Sequence, residues 1–143
     1  MKPSSQSFIS RSLEETEKLG EKLSKYLSPG KAAAFWGDLG SGKTTLIKSI
    51  AKYLGYLSDD VNSPTFIYLN VYNGKLLIYH FDLYRMKGEK EFIHMGFEEY
   101  LTSDAITLIE WPERISSLLP EKTLHIKLRH MDETTREFSW SNE

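Results

Sequence analysis

Apolar residues recur along the chain with two periods, and each change of period marks an element. Leu13, Leu19, Leu23 and Leu27 form a stripe at helical spacing that stops before the turn signal Pro29-Gly30. Ser12 and Glu15 open that helix with the spacing of a capping box, in which a serine hydroxyl caps the helix and a glutamate bonds back. Ser7-Phe8-Ile9-Ser10 before it predicts a short strand. Residues 31–36, Lys-Ala-Ala-Ala-Phe-Trp, read as a buried strand. Leu46, Ile47, Ile50, Ala51 and Leu54 then return to helical spacing, and Gly55 stands where a helix C-terminus favours glycine. Residues 66–72 and 75–81 are β-branched and aromatic runs separated by Asn73-Gly74, which predicts a hairpin through a two-residue turn. Residues 87–103 predict two short helices hinged at Gly96. Residues 105–109 read as a buried strand that delivers Glu110-Trp111-Pro112, and 113–119 as a short helix stopped by Pro120. Leu124, Ile126 and Leu128 alternate, as do Phe138 and Trp140, so 123–129 and 136–140 predict a terminal hairpin across the polar stretch 131–135.

Helices interleaved with strands and hairpins predict an α/β fold whose mixed sheet has parallel core strands and antiparallel hairpins. No repeat, low-complexity tract or linker interrupts the 143 residues, so 1–143 reads as a single domain.

Between the buried strand and its helix lies Gly37-Asp38-Leu39-Gly40-Ser41-Gly42-Lys43-Thr44, which fits G-x-x-x-x-G-K-[ST]. Strand, glycine-rich loop and helix together give the pattern its mechanism. The glycines let successive backbone N–H groups curl toward phosphate oxygens, with the positive end of the helix behind them. Lys43 is placed to reach the β- and γ-phosphates, and the Thr44 hydroxyl to ligate magnesium. The expectation is a three-layer P-loop NTPase-like fold.

Hydrolysis needs a carboxylate near the magnesium. Asp82 and Glu110 each stand at the end of a predicted strand, where open α/β sheets gather their ligands. The bland alternative is a solvated turn acid at each place. Thr65, in Ser63-Pro64-Thr65, is either a loop threonine that senses the γ-phosphate or simply the start of the next strand. Arg85 and Arg114 either neutralise developing charge or sit in surface ion pairs. His80 falls inside a strand and reads as packed rather than catalytic. His94, His125 and His130 have no metal-ligand spacing.

Composition narrows the field. A formal net charge of −2 gives no support for a direct grip on nucleic acid. With no cysteine there is no disulfide and no thiolate chemistry. No apolar run approaches the ~20 residues that span a bilayer, and residues 1–10 lack the apolar core of a secretory signal. A cytoplasmic protein without membrane contact is the expectation.

The phosphate loop with Thr45, Ser63-Pro64-Thr65-Phe66, His80-Phe81-Asp82-Leu83-Tyr84-Arg85, Gly96-Phe97-Glu98-Glu99-Tyr100 and Ile109-Glu110-Trp111-Pro112 occur in an order and spacing that resembles the TsaE (formerly YjeE) family, bacterial ATPases of threonylcarbamoyladenosine synthesis on tRNA. The resemblance covers nearly the whole chain. It implies binding of ATP or ADP with magnesium and slow intrinsic hydrolysis. It also implies work with TsaB and TsaD, which modify the adenosine beside the anticodon of tRNAs reading codons that begin with A; tRNA is met only through that complex. The separate enzyme TsaC makes the threonylcarbamoyl-adenylate. By motif position the resemblance implies that Thr44 and Glu110 hold magnesium and that Lys43 holds phosphates. Asp82 is then the acid essential for hydrolysis, either beside the metal or placing the water. Trp111 resembles the family's tryptophan near the site, Arg136 the arginine of a C-terminal strand beside the nucleotide, and Arg11 and Ser12 residues bordering the adenine.

Other classes fit less well. A small P-loop kinase would carry an arginine-bearing lid, and 86–103 is poor in arginine. A GTPase would carry Asn-Lys-x-Asp and Asp-x-x-Gly segments, and neither occurs. A nucleotide-sensing module without useful turnover remains as a rival.

Overall fold

Strand order decides where the motifs meet. The computed structural model describes residues 6–37, 42–57 and 68–141. Their strands are β1 (Gln6–Ser10), β2 (Ala32–Trp36), β3 (Leu69–Asn73), β4 (Leu77–Asp82), β5 (Ile106–Glu110), β6 (Leu124–His130) and β7 (Arg136–Ser141). Their helices are α1 (Leu13–Ser24), α2 (Lys43–Tyr53), α3 (Glu89–His94) and α4 (Glu98–Leu101), with a 3-10 helix over Pro112–Leu118. The strands form one sheet in the order β1-β7-β6-β2-β5-β4-β3. β6, β2, β5 and β4 are mutually parallel neighbours, while β3 and β7 pair antiparallel with β4 and β6, and β1 pairs antiparallel with β7.

The sheet carries a core on each face, although on β6 the second face is left open at Lys127 and Arg129. On one, alternate strand residues such as Phe35, Leu108, Ile126 and Phe138 pack against Leu19 and Leu23 of α1 and Ile47 and Ile50 of α2. On the other, Phe81 and Ile109 pack with Phe92, Leu101 and Ile115 from α3, α4 and the 3-10 helix. This is the expected α/β, three-layer, P-loop NTPase-like arrangement, with parallel core strands and antiparallel edges.

Several elements depart from their sequence readings. The β3–β4 hairpin forms, but Asn73 pairs with Leu77, so the connection is Gly74-Lys75-Leu76 and not the two-residue Asn-Gly turn. Gly74 is needed for a close approach and not for a positive φ: a Cβ there would stand 3.2 Å from the Gly55 carbonyl oxygen and from Tyr56. Leu13 does not join the apolar stripe of α1: it stays 69% exposed and lines a cleft. The capping box is shifted by one residue. Ser12 Oγ accepts from Glu15 N–H at 3.1 Å, but the Glu15 carboxylate reaches back to Arg11 N–H at 2.9 Å. The segment after Trp111 is 3-10 rather than α, broken at Ile115 by a non-helical φ of −133°. Gly96, with φ 79°, is the expected hinge between α3 and α4.

α1 and α2 approach closely at Gly20. A Cβ there would stand 2.1 Å from Ser49 Oγ and 2.5 Å from Ser49 Cβ, and Ser49 Oγ donates to the Glu17 carbonyl at 2.8 Å. Gly20→Ala is therefore expected to destabilise the fold by about 1–3 kcal/mol through overpacking, despite the better helix propensity of alanine. Urea unfolding checks this; a midpoint at or above the parent's contradicts the close approach.

Candidate nucleotide site

Topology alone brings the candidate residues to one edge. The parallel strands β2, β4 and β5 end together, at Trp36, Asp82 and Glu110. β6 ends at His130, which pairs with Arg136 at the start of the antiparallel β7. Arg136 in turn pairs with Ser10 at the end of β1. Arg11 and Ser12, Gly37, Asp82, Glu110 and Arg136 thus share the carboxyl-end edge of the parallel core, where ligands of open α/β sheets bind.

Gly42 and Lys43 open α2 on that edge. Gly42 precedes the helix in the left-handed region, with φ 100°, which explains a glycine at this place. Its missing Cβ also makes room for Arg136, whose Cδ would stand 2.9 Å from it. Lys43 is only 4% exposed. Its ammonium donates to the Gly37 carbonyl at 2.6 Å and lies 4.1 Å from the Trp111 ring centroid. Thr44 is exposed in the first turn of α2, and Thr45 is half-buried. Asp38, Leu39, Gly40 and Ser41 of the phosphate loop, and Thr65, lie outside the described residues.

The two acids are register partners: Asp82 of β4 stands opposite Glu110 of β5. Burial pushes the Asp82 carboxyl above its ordinary range, and the neighbouring Glu110 charge adds to the rise. The Tyr84 N–H, which donates to Asp82 Oδ1 at 3.1 Å, and the charges of His80 and Lys43 oppose it. Asp82 therefore has both a negative and a positive neighbour on the same edge.

Behind Glu110 lies a pair that the sequence did not connect. His80 is fully buried, as its strand position suggested, but its Nε2 is 2.7 Å from Glu110 Oε2 and its Nδ1 is 2.7 Å from the Tyr72 hydroxyl. The only signal was alternation, which puts His80 and Asp82 on one face of β4.

Trp111 follows Glu110 with φ 58° and ψ 50°, the one non-glycine residue at positive φ among those described. Such a conformation costs roughly 1–2 kcal/mol. It turns the chain out of β5 so that the indole meets the Lys43 ammonium on one side and the Tyr84 ring, 4.9 Å away, on another. Arg114, half-buried, donates from Nη2 to the Tyr84 carbonyl at 3.1 Å and forms no ion pair among the described residues. Tyr84 is exposed, whereas Phe97 packs into the second core.

Beside Gly42 opens a cleft of about 290 Å³, lined by Arg11, Ser12, Leu13, Gly42, Thr45, Glu133 and Arg136 among others. Arg136 Nε is buried with no hydrogen-bond partner among the described residues. An unpaired buried guanidinium donor suits an anionic ligand. For a cation, Thr44, Asp82 and Glu110 offer hard oxygen donors only. No group of three or more His, Asp or Glu side chains among the described residues forms a self-sufficient metal cage. That donor set fits magnesium, which is usually held by one or two carboxylates together with substrate phosphates.

Comparison with known proteins shows the family. A family model described as threonylcarbamoyl adenosine biosynthesis protein TsaE matches residues 10–138. A tRNA threonylcarbamoyladenosine biosynthesis protein TsaE of Treponema pallidum is 37% identical over 131 residues, covering 92% of this chain and 96% of that protein. One of Rickettsia bellii is 38% identical over 136 residues, covering 94% of each. Among solved structures, the crystal structure of Bacillus subtilis YdiB is similar with a TM-score of 0.79 and 28% identity, covering 99% of this chain and 88% of that one.

Proposed function

The chain belongs to the TsaE family of threonylcarbamoyl adenosine biosynthesis proteins, and on that premise we propose that it is a magnesium-dependent ATPase of low intrinsic turnover that serves the TsaB–TsaD complex in modifying tRNA. The observation that carries the reading is the meeting of Lys43, at the start of the phosphate-loop helix, with the paired acids Asp82 and Glu110 on one sheet edge.

In this reading the backbone of residues 37–42 and the Lys43 ammonium bind the phosphates, and Thr44 and Glu110 hold magnesium. Bound magnesium would neutralise charge on the phosphate oxygens as the terminal phosphoryl group leaves. Asp82 either shares the cation or orients the attacking water, and Thr65 senses the γ-phosphate. Trp111 borders the nucleotide from the Lys43 side. In the cleft, Leu13 offers exposed apolar surface to a base, Arg11 and Ser12 flank it, and Arg136 directs an unpaired N–H toward an anionic group. No helix among the described residues is long and apolar enough to cross a membrane.

The test is reconstitution of the chain with TsaB, TsaD, TsaC, ATP and tRNA. Modified tRNA should accumulate over many rounds with this chain present and stop near one round without it. Equal yields in both reactions would refute the proposed role. ATP binding without any hydrolysis would leave a nucleotide-sensing module instead.

A further inference from the structure

We propose that His80 and Tyr72 are positioning residues that fix the carboxylate of Glu110 in one orientation and so set the affinity of the site for magnesium. The inference rests on the reading of Glu110 as a magnesium ligand and adds residues that this reading leaves without a role.

Three neighbouring strands each supply one member. In the β3–β4 register Tyr72 pairs with Ile78, and in the β4–β5 register His80 pairs with Leu108. Tyr72, His80 and Glu110 are therefore diagonal neighbours on one sheet face, two residues apart across each strand pair. Their links are both 2.7 Å, from the Tyr72 hydroxyl to His80 Nδ1 and from His80 Nε2 to Glu110 Oε2. All three are buried, at 3%, 0% and 3% exposure. A histidine and a glutamate taken this far out of water need partners, and here they are partners of each other.

The chemistry gives the chain a direction. A carboxylate only accepts, so His80 Nε2 is the donor of its link to Glu110, and the Tyr72 hydroxyl, which can donate or accept, holds the other ring nitrogen. Tyr72 therefore acts through His80, and His80 acts on Glu110. Tyr72 is itself fixed, since its ring stacks on Tyr56 at 4.9 Å just beyond the end of α2. A carboxylate held in this way meets a cation without first losing rotamer freedom. Outer partners of this kind typically change metal affinity by about 10–100-fold when removed.

The test measures the binding of ADP to the purified protein by calorimetry across a magnesium titration. The magnesium concentration at half effect should rise about 10–100-fold in His80→Ala, with magnesium-free ADP affinity as in the parent. His80→Gln, whose amide N–H can still donate to Glu110, should recover most of the loss. Tyr72→Phe should shift in the same direction by less, and adding it to His80→Ala should have little further effect. Should His80→Ala fail to fold, His80→Gln and Tyr72→Phe carry the comparison through their own shifts. Folded variants with the parent's magnesium dependence would overturn the positioning role while leaving the metal site intact. A parent protein whose ADP affinity ignores magnesium would instead overturn the metal reading, and this inference with it.

Discussion

Asp82→Asn is expected to abolish most ATP turnover and, in the same protein, to raise the melting temperature of the ligand-free chain at neutral pH. The two effects share one cause. Burial, then the charge of Glu110 across the β4–β5 register, holds the Asp82 carboxyl above its ordinary pKa. A carboxyl that binds its proton more tightly folded than unfolded favours the fold below its ordinary pKa and opposes it once pH rises through the raised value. At neutral pH the native chain therefore carries an unfavourable negative charge that asparagine removes, while Asn Oδ1 keeps an acceptor for the Tyr84 N–H. The gain should be on the order of a few degrees and should shrink as pH falls toward the ordinary aspartate value of about 3.9. Turnover should fall by about 100-fold or more if the carboxylate orients water or cation in the reacting complex, with ADP affinity little changed. Thermal melts without nucleotide or metal, set beside a phosphate-release assay, check both parts. A variant less stable than the parent at neutral pH would show that Asp82 supports the fold, and its place in the chemistry would go with it.

A residue expected to weaken the resting fold and proposed to serve the reaction is the kind of conflict that sequence patterns register poorly. Alternation in β6 and β7 was legible because Leu124, Ile126, Leu128, Phe138 and Trp140 obey the period of the sheet and all reach the core. The strand–loop–helix unit was legible because Gly42 and Gly55 occupy left-handed positions that favour glycine. Long-range geometry was not. His80 and Glu110 lie thirty residues apart in sequence, and nothing local says that β4 runs beside β5 with the register that joins them. Asn73-Gly74 has the composition of a tight turn, yet the nearby backbone of Gly55 and Tyr56 claims Gly74 for close packing. Leu13 fits the period of its helix, but a stripe does not reveal which of its members the core will cover. Arg11, Ser12 and Arg136 could be named only by resemblance. What gathers them is the pairing of β1 with β7 and β7 with β6, which brings the two ends of the chain to the same cleft.

Lys43→Met should separate phosphate binding from metal binding. Methionine keeps much of the side-chain volume and removes the ammonium that now donates to the Gly37 carbonyl and faces the Trp111 ring. A charge-assisted hydrogen bond is worth about 1.5–3 kcal/mol, so ADP affinity should fall roughly 10–100-fold. In the proposed reading the lysine acts on phosphate directly, so the loss should be of similar size with and without magnesium. Thr44→Ala and Glu110→Ala should instead remove the magnesium-dependent part of binding and hydrolysis and leave metal-free ADP affinity near the parent's. The fold should tolerate Lys43→Met, since a buried cation and its desolvation leave together. The loss of the cation against the Trp111 indole also supplies a second signal, a change in tryptophan emission of the ligand-free variant relative to the parent. Calorimetry with ADP at zero and saturating magnesium checks the affinities. Parent-like binding by Lys43→Met in both conditions would mean that the ammonium stays on Gly37 and Trp111 when nucleotide is present, and the phosphates would have to be held by the loop backbone and Arg136 alone.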